Sequence, residues 1–222
     1  MTHRVQIKEI EPITHNVHNF VVEKPKGFDF EPGQATDLSI DADGWREEQR
    51  PFTFTSLPHW DDLHFTIKHY SNPQGVTDRL SRCLVGDYFL IGDPRGAIRY
   101  KGKGAFIAGG AGITPFLSIL RGLKEKSSLT GHRLIFANRK EADIIMRNEL
   151  ENMPGLEIMH VLSDETQKTE FHSGYVDEDL LRETINDFDE NFYVCGPVPM
   201  QDSVTATLEK LGASAESLVI ED

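Results

Sequence analysis

The chain has 222 residues, a formal net charge of −13 and two cysteines. Its length suffices for one large or two small domains with buried cores, and its acidity disfavours nucleic-acid binding, which needs a basic surface. Two cysteines cannot form a disulfide framework or a thiolate-held zinc or iron–sulfur centre. No apolar run approaches the roughly 20 residues of a membrane span, and the first residues lack the apolar segment of a signal peptide, so we expect a cytoplasmic protein without membrane association.

Residues 1–101 are predicted to form short strands. Alternating, β-branched and aromatic residues indicate six of them, separated in several places by turn signals such as KPKG, EPG and DADG. The predicted strands are HRVQIKEI, NVHNFVVEK, GQATDLSID, RPFTFTSL, LHFTIKHY and DYFLIGD. One helix, GVTDRLSRCL, interrupts the series before the last strand. Strands at this spacing predict a small antiparallel β-barrel.

The fourth predicted strand, RPFTFTS, begins with a cation and then places hydroxyl groups on one face. A half-buried strand does not need an arginine at its start, whereas a bound phosphate would account for one. Arg50 is therefore a candidate phosphate ligand.

Residues 102–222 alternate apolar strands with helices. The predicted strand and helix pairs are GAFIAGG with TPFLSILRGLKEK, HRLIFANR with MRNELENM, LEIMHVLSD with DEDLLRETI, and NFYVCG with PMQDSVTATLEKLG, followed by a last strand SLVIED. This pattern predicts a doubly wound parallel sheet with helices on both faces. We expect two domains, residues 1–101 and 102–222, with the boundary near YKGKG.

The segment FIAGGAGITPFLSIL contains the strongest single motif. Gly109, Gly110 and Gly112 follow a strand and precede a helix, for which Thr114 is the expected N-cap and Pro115 a first-turn residue. Backbone N–H groups at such a turn can approach a phosphate. The motif is neither the dinucleotide fingerprint nor a P-loop, and on its own it favours phosphate binding over a merely tight turn.

Two further segments gain meaning beside that turn. Gly75, Val76 and Thr77 begin the barrel helix, where an ordinary capped helix is the alternative to a second phosphate site. Cys195 ends a predicted parallel strand, at the sheet edge where ligands gather, although most such cysteines only pack. The nine histidines lack metal-ligand spacing, so no metal site is expected.

In this order, the segments resemble the ferredoxin–NADP reductase family over the whole chain, and within it the short flavodoxin- or ferredoxin-reductase-like members. The family's Arg-x-Tyr-Ser/Thr motif is matched by residues 50–53, with Phe52 in place of tyrosine. Its Gly-Gly-x-Gly-Ile/Val-Thr/Ala-Pro motif is matched by residues 109–115, and its Cys-Gly-Pro motif by residues 195–197. The resemblance implies a flavin-binding barrel followed by a nicotinamide-binding domain.

The resemblance also implies roles for individual residues. Arg50 would pair with the flavin pyrophosphate, and Thr53 would place its hydroxyl near flavin N5. Phe52 would pack on the flavin without donating a hydrogen bond, which lowers the expected affinity. The flavin contacts so implied are Arg50, Pro51, Phe52, Thr53, Ile67, Lys68, His69, Gly75, Val76 and Thr77. The implied nicotinamide contacts are Gly109, Gly110, Gly112, Ile113, Thr114, Pro115, Cys195, Gly196 and Pro197.

The resemblance implies an enzyme that passes hydride from NAD(P)H to FAD, which is favoured over FMN, and then single electrons to a separate acceptor such as flavodoxin, ferredoxin or a small molecule. Acidic acceptors would meet residues 1–101, with 12 basic and 15 acidic side chains, rather than the remainder, with 11 and 21. A free-flavin reductase and a non-catalytic subunit of a larger complex are the alternatives. Colour from bound flavin would distinguish the proposed enzyme from a free-flavin reductase, and turnover would distinguish it from a non-catalytic subunit.

Two expectations concern the nucleotide side. Asn138 and Arg139 follow the second strand of the nicotinamide-binding domain, where a basic residue suits a 2′-phosphate, so NADPH is expected over NADH. By resemblance, Cys195 lies against the nicotinamide and Glu221 beside it as a proton or charge partner. Since no aromatic residue follows Glu221, one flavin face would be uncovered and oxygen would react with the reduced enzyme.

Overall fold

The structure, a computed structural model, describes residues 1–70, 75–96, 98–164 and 171–220. The first half of the chain forms a six-stranded antiparallel sheet in the order β4-β3-β6-β1-β2-β5. Its strands are β1 (His3–Thr14), β2 (Val17–Glu23), β3 (Ala35–Ile40), β4 (Arg50–Thr53), β5 (Asp62–Lys68) and β6 (Tyr88–Ile91). All six were predicted, because their alternating side chains face a buried core on one side.

The edge strands of this sheet meet just beyond β4. The Thr55 amide donates a hydrogen bond to the His64 carbonyl of β5 at 2.9 Å, which curls the sheet into a barrel. Fully buried aromatic rings fill its interior, among them Phe20, Phe54 and Phe65. Helix α1 (Val76–Leu80), shorter than predicted, buries both of its terminal residues against this core.

The second half forms a six-stranded parallel sheet in the order β10-β9-β8-β7-β11-β12. Its strands are β7 (Gly104–Gly109), β8 (Arg133–Asn138), β9 (Glu157–Leu162), β10 (His172–Ser173), β11 (Asn191–Cys195) and β12 (Leu218–Ile220). Its helices are α2 (Thr114–Glu125), α3 (Arg147–Glu151), α4 (Glu178–Thr184) and α5 (Val198–Leu211). The two-residue strand β10 was not predicted, since it is too short to show a hydrophobic period.

Strand β7 lies at the centre of this sheet and is buried along its whole length. Phe106 and Ala108 pack into the apolar cluster beneath α2, whereas Ala105 and Ile107 pack into the cluster beneath α4 and α5. A central parallel strand covered on both faces needs such continuous apolar sequence. The predicted fold, an antiparallel barrel followed by a doubly wound parallel sheet, is confirmed.

The chain passes from the barrel to the parallel sheet between β6 and β7, so the expected boundary at residues 101/102 lies within this connection. That boundary stays a prediction. Within the described ranges, every helix is too short or too polar to cross a lipid bilayer.

Candidate functional site

A cleft of about 1590 Å³ lies where the barrel meets the carboxyl edge of the parallel sheet. Typical small-molecule sites measure roughly 300–1,000 Å³, so this cleft has room for more than one nucleotide-sized group. It lies beside the sheet's topological switch point, where β7 leads to β8 on one side and borders β11 on the other. The predicted site residues that line it are Pro51, Phe52, Thr53, Ile67, Lys68, Thr77, Gly109, Gly110, Gly112, Thr114, Asn138, Arg139, Cys195, Gly196 and Pro197.

Other predicted residues lie next to this lining rather than in it. They are Arg50, His69, Gly75, Val76, Ile113 and Pro115. Glu221, with the expectation attached to it, lies outside the described residues. The roles of all these side chains stay predictions.

Strand β4 supplies the barrel side of the cleft. Thr53 pairs with Ala35 of β3, and Pro51 pairs with Asp37. Directly paired residues of antiparallel strands share a face, so this face of β3 and β4 turns towards the cleft. Phe52 packs partly against the barrel core from the other face, which fixes its ring at the edge of the cleft.

Arg50 begins β4 and is about half exposed. Its guanidinium donates to the Gln49 carbonyl at 2.6 Å and to the Glu48 carboxylate at 3.2 Å. An exposed ion pair of this kind contributes little, so an anionic ligand can displace Glu48 from Arg50 at small cost.

His69 connects the end of β5 with α1. Its Nδ1 lies 2.8 Å from the Thr77 carbonyl, which can only accept, so Nδ1 carries the proton. Its Nε2 therefore accepts from His18 Nδ1, 2.6 Å away. Burial lowers the pKa of His69, while the Thr77 carbonyl acts in the opposite direction. A neutral His69 thus ties the start of α1 to the barrel.

Lys68 reaches across the cleft from the barrel. A Cβ placed on Gly110 would lie 3.9 Å from Lys68 Nζ and, apart from its own turn, would meet no other atom within 4 Å. Gly110 has φ +52°, a conformation that glycine adopts without strain. The turn therefore leaves open space bordered by an ammonium group, which suits an anionic ligand. Sequence reasoning assigned Lys68 a backbone contact and missed this side chain.

The other two glycines of the turn serve packing. A Cβ on Gly112 would lie 2.2 Å from the Cys195 carbonyl oxygen, and one on Gly109 would lie 2.5 Å from Met200 Sδ. Real Cβ atoms do not approach so closely, so the ends of β7 and β11 touch through backbone only because side chains are missing. The turn and the buried Cys195 accordingly form one continuous wall of the cleft.

The prediction that Thr114 caps α2 is wrong. Thr114 is the first helical residue, and its hydroxyl donates to the Ala111 carbonyl at 3.0 Å. A short 3₁₀ turn over Gly110–Ile113 leads into the helix, so the cap position falls on Ile113, which has no side-chain oxygen. Pro115 occupies the first turn, as predicted.

Asn138 and Arg139 form the far end of the nucleotide side. Asn138 is 8% exposed, lines the cleft, and has no hydrogen-bond partner for either amide atom among the described residues. Such a buried amide is costly unless a ligand or water satisfies it. Arg139 instead pairs with Asp164, Nε to Oδ2 at 2.7 Å, and this hydrogen bond lowers the pKa of Asp164.

Several lining residues were not predicted. Arg95 lines the barrel side and donates hydrogen bonds to both carboxylate oxygens of Asp37. Arg99 Nη2 lies 3.7 Å from Glu31 Oε2. Tyr70 and Tyr175 expose more than half of their surface at the cleft. The run DPRGAIR carried the signal for Arg95, since two arginines flank a glycine there. Within the described ranges, no group of three or more His, Cys, Asp or Glu side chains could hold a metal ion.

Comparison with known proteins agrees with this architecture. Residues 106–206 match the family model described as the oxidoreductase NAD-binding domain. The chain is 30% identical to NADH-cytochrome b5 reductase 1 of Aspergillus terreus, over 93% of this chain and 76% of that protein. It is 27% identical to the propane 2-monooxygenase reductase component of Mycolicibacterium goodii, over 93% of this chain and 63% of that one.

A solved structure shows the same fold over nearly the whole chain. The ferredoxin NADP+ reductase of Neisseria gonorrhoeae, with bound FAD and NADP, superposes with a TM-score of 0.86 at 18% identity, covering 99% of this chain and 98% of that one. Fold, motif order and relatives therefore agree: the chain belongs to the ferredoxin–NADP reductase family of flavoprotein oxidoreductases.

Proposed function

We propose that the protein is an FAD-dependent NAD(P)H oxidoreductase that delivers electrons to a separate acceptor. One observation carries this proposal: segments 51–53, 109–112 and 195–197 are far apart in sequence, yet they line one cleft. Bound FAD would supply the redox chemistry, because a flavin accepts a hydride and can return its two electrons singly. The protein supplies binding, orientation and electrostatics.

The residues present fit two nucleotides. The orphaned Asn138 amide offers a donor and an acceptor for ribose or carboxamide groups, and the open space at Gly110 beside Lys68 suits a phosphate. Lys68 is a point charge without a carboxylate partner among the described residues, so its charge is available to a ligand.

On the barrel side, Thr53 presents a hydroxyl at a place that is 8% exposed. A hydrogen bond there is stronger than in water, because competing solvent is excluded. Arg50 would hold the flavin pyrophosphate by exchanging its exposed contact with Glu48 for phosphate oxygens. His69 keeps α1 in place, so that Thr77 stays at the cleft wall.

On the nucleotide side, the wall formed by residues 109–112 and 195–197 receives the nicotinamide. Cys195 lines the cleft where these two segments meet, so the nicotinamide ring would pack beside it. Cys195 positions the ring rather than attacking it. Positioning of this kind provides much of the rate in hydride transfer, which requires reacting atoms roughly 3–3.5 Å apart.

The preferred donor is inferred to be NADH, against the NADPH expected from Arg139. Asp164 holds Arg139 in a hydrogen-bonded ion pair, so the guanidinium is partly neutralised before any ligand binds. The Asp164 carboxylate would also repel a 2′-phosphate, whereas it can accept a hydrogen bond from a 2′-hydroxyl. The name NADH-cytochrome b5 reductase, carried by one relative, is consistent with this preference.

The acceptor is proposed to be a separate redox protein. Flavodoxin and ferredoxin remain candidates, and relatives named for cytochrome b5 and propane 2-monooxygenase add a haem protein and an oxygenase. An acidic carrier would approach the less acidic barrel half of the chain.

The test is an anaerobic reduction of the purified protein. We expect about one bound flavin per chain, rapid loss of flavin colour with NADH, slower loss with NADPH, and reoxidation by at least one of cytochrome b5, ferredoxin or flavodoxin. Arg50→Ala should lose most of the flavin while the fold survives, whereas Arg46→Ala, an exposed arginine of the same domain, should retain it. A colourless protein that oxidises NADH only with added flavin would establish the free-flavin alternative, and one inactive with every acceptor would overturn the proposal.

A further inference from the structure

Helix α2 of the parallel-sheet half is bonded directly to the barrel through two buried side chains. Ser118 is fully buried and donates its hydroxyl to the Ser56 carbonyl at 2.7 Å. Arg121, which is 8% exposed, donates from Nη1 to the Thr55 carbonyl. We call these two contacts the interdomain clamp.

The other two guanidinium nitrogens of Arg121 are also engaged. Nε and Nη2 bond the two carboxylate oxygens of Glu149 in α3, at 2.7 and 2.6 Å. The guanidinium lies 5.4 Å from the centre of the Trp60 ring, within range of a cation–π contact. A planar guanidinium that donates to both Glu149 oxygens and to the Thr55 carbonyl can adopt only one orientation. Arg121 therefore fixes both the distance and the relative orientation of α2 and the barrel.

The barrel end of the clamp is itself rigid. The Thr55 hydroxyl lies 3.2 Å from the Thr66 hydroxyl of β5, and the Ser56 hydroxyl accepts from the His64 amide at 3.1 Å. The carbonyls that receive Arg121 and Ser118 therefore belong to the closed edge of the barrel.

Both ends of the clamp continue directly into the cleft walls. On the barrel side, Thr55 follows the cleft-lining Thr53 by two residues. On the other side, Arg121 stands seven residues after Thr114, about two helical turns or roughly 10 Å from the glycine turn. Little chain separates either anchor from the groups that hold the two ligands.

We propose that Arg121 is a positioning residue that sets the separation of the two cleft walls, and with it the alignment of nicotinamide and flavin. This inference rests on the proposed function for its catalytic consequence, but not for the clamp itself. Since Arg121 does not line the cleft, its loss should leave both binding walls intact and change only how they face each other.

The experiment measures wall separation and hydride transfer in the same flavin-loaded variants. Spin labels at Glu9→Cys on the barrel and Glu209→Cys on α5, both exposed positions, report the interdomain distance, and the native cysteines are buried. Arg121→Met should broaden and lengthen that distance distribution. It should slow flavin reduction at saturating NADH by about 10- to 100-fold, with flavin content unchanged. Arg121→Lys should restore part of both losses.

The matched control is Arg133→Met. Arg133 pairs with Glu157 at 2.9 Å within the parallel sheet, its side chain is 19% exposed, and it does not line the cleft. This variant should alter neither readout. Ser118→Ala removes the neutral half of the clamp and gives a milder test should Arg121→Met fail to fold.

The two readouts separate the possible failures. An unchanged distance distribution in Arg121→Met, or in Ser118→Ala if the first variant does not fold, would overturn the clamp. A broadened distribution with unchanged flavin reduction would overturn its positioning role. A parent protein that oxidises neither NADH nor NADPH would instead refute the proposed function, while the distance measurement would still decide whether Arg121 joins the domains.

Discussion

The two walls of the cleft differ in the groups that form them, backbone on one side and side chains on the other. The nucleotide wall depends on close backbone contacts: Gly109 and Gly112 allow the end of β7 and the turn after it to lie against Cys195 and Gly196 at the end of β11. The barrel wall is mostly side chains on strand faces, such as Thr53 and Lys68, with ion pairs at its rim. The nucleotide wall therefore depends on the absence of side chains at its glycines, and the barrel wall depends on the side chains that it presents.

This difference determines how each wall responds to change. A close backbone contact fails as a whole when a single methyl group is added, because neither strand end can retreat from a buried sheet. A side-chain contact weakens by the contribution of one interaction, typically about 1 kcal/mol for a hydrogen bond. Single substitutions should therefore abolish ligand binding on the nucleotide wall, but should only weaken it on the barrel wall.

The largest effect is expected from Gly112→Ala. The new Cβ would lie 2.2 Å from the Cys195 carbonyl oxygen and 2.5 Å from its carbon, both backbone atoms of a central strand. Pushing the glycine turn away from the end of β11 should destabilise the fold by about 3 kcal/mol or more and abolish binding of NADH. Thermal unfolding and titration with NADH measure both losses.

Gly122→Ala is the matched control for that prediction. It makes the same change in α2, where the nearest atom, Leu57 Cδ2, is an ordinary 3.6 Å away. Alanine in a helix should be neutral or stabilise the protein by up to about 1 kcal/mol. Equal tolerance of both substitutions would show that the nucleotide wall can yield, and would remove the contrast between the walls.

The glycine turn also shows how far sequence reasoning extends. The strand, the glycines and Pro115 were all predictable, since apolar periodicity and turn chemistry are local. Contact between Gly112 and Cys195 was not, because it joins residues more than 80 positions apart and depends on strand order. The same limit hid the pairing of Arg139 with Asp164, on which the proposed preference for NADH rests.

On the barrel wall, the motif RPFT predicted cleft residues because strand alternation assigns faces directly. It could not predict that Arg50 would lie beside the lining instead of within it, since the direction of a long exposed side chain is set by neighbours such as Glu48. Arg95 was missed for a related reason: its position follows from the Asp37 carboxylate on β3, which is distant in sequence.

An intermediate effect is expected at the edge of the nucleotide wall, where side chains replace backbone. Asp164→Asn removes the charge that neutralises Arg139, so the KM for NADPH should fall about tenfold while the KM for NADH rises slightly. Arg139→Ala in the same background should cancel the gain.

Steady-state kinetics with both nucleotides measures this shift. Glu178→Gln, which removes a carboxylate from an ion pair with Arg182 on α4, is the control and should leave both KM values unchanged. An Asp164→Asn enzyme whose ratio of KM values equals that of the parent would refute the role of this pair in nucleotide choice.

The smallest effect is expected on the barrel wall, through His69. Burial lowers the pKa of His69 below its usual value of about 6.5, so the unfolded chain binds a proton more readily than the folded one. The stability that neutral His69 contributes is therefore fully present above about pH 6.5 and is lost as the pH falls through its lower folded pKa. A second proton on Nε2 would also remove the acceptor for His18 Nδ1, so the bond between His69 and His18 that ties α1 to the barrel would be lost, while the bond to the Thr77 carbonyl would persist. Flavin should accordingly dissociate more readily as the pH is lowered from 7 to about 5, with retention falling by a few-fold rather than abruptly.

His69→Gln keeps a neutral amide that can donate to Thr77, so it should flatten this profile. His132→Gln changes another histidine whose pKa is lowered by burial, but one in the parallel-sheet half, and should leave flavin retention at each pH as in the parent. Identical pH profiles of flavin retention in the parent and in His69→Gln would show that α1 is held by other contacts. The barrel wall would then tolerate the loss of this side chain, in contrast to the nucleotide wall, which should not tolerate one added methyl group.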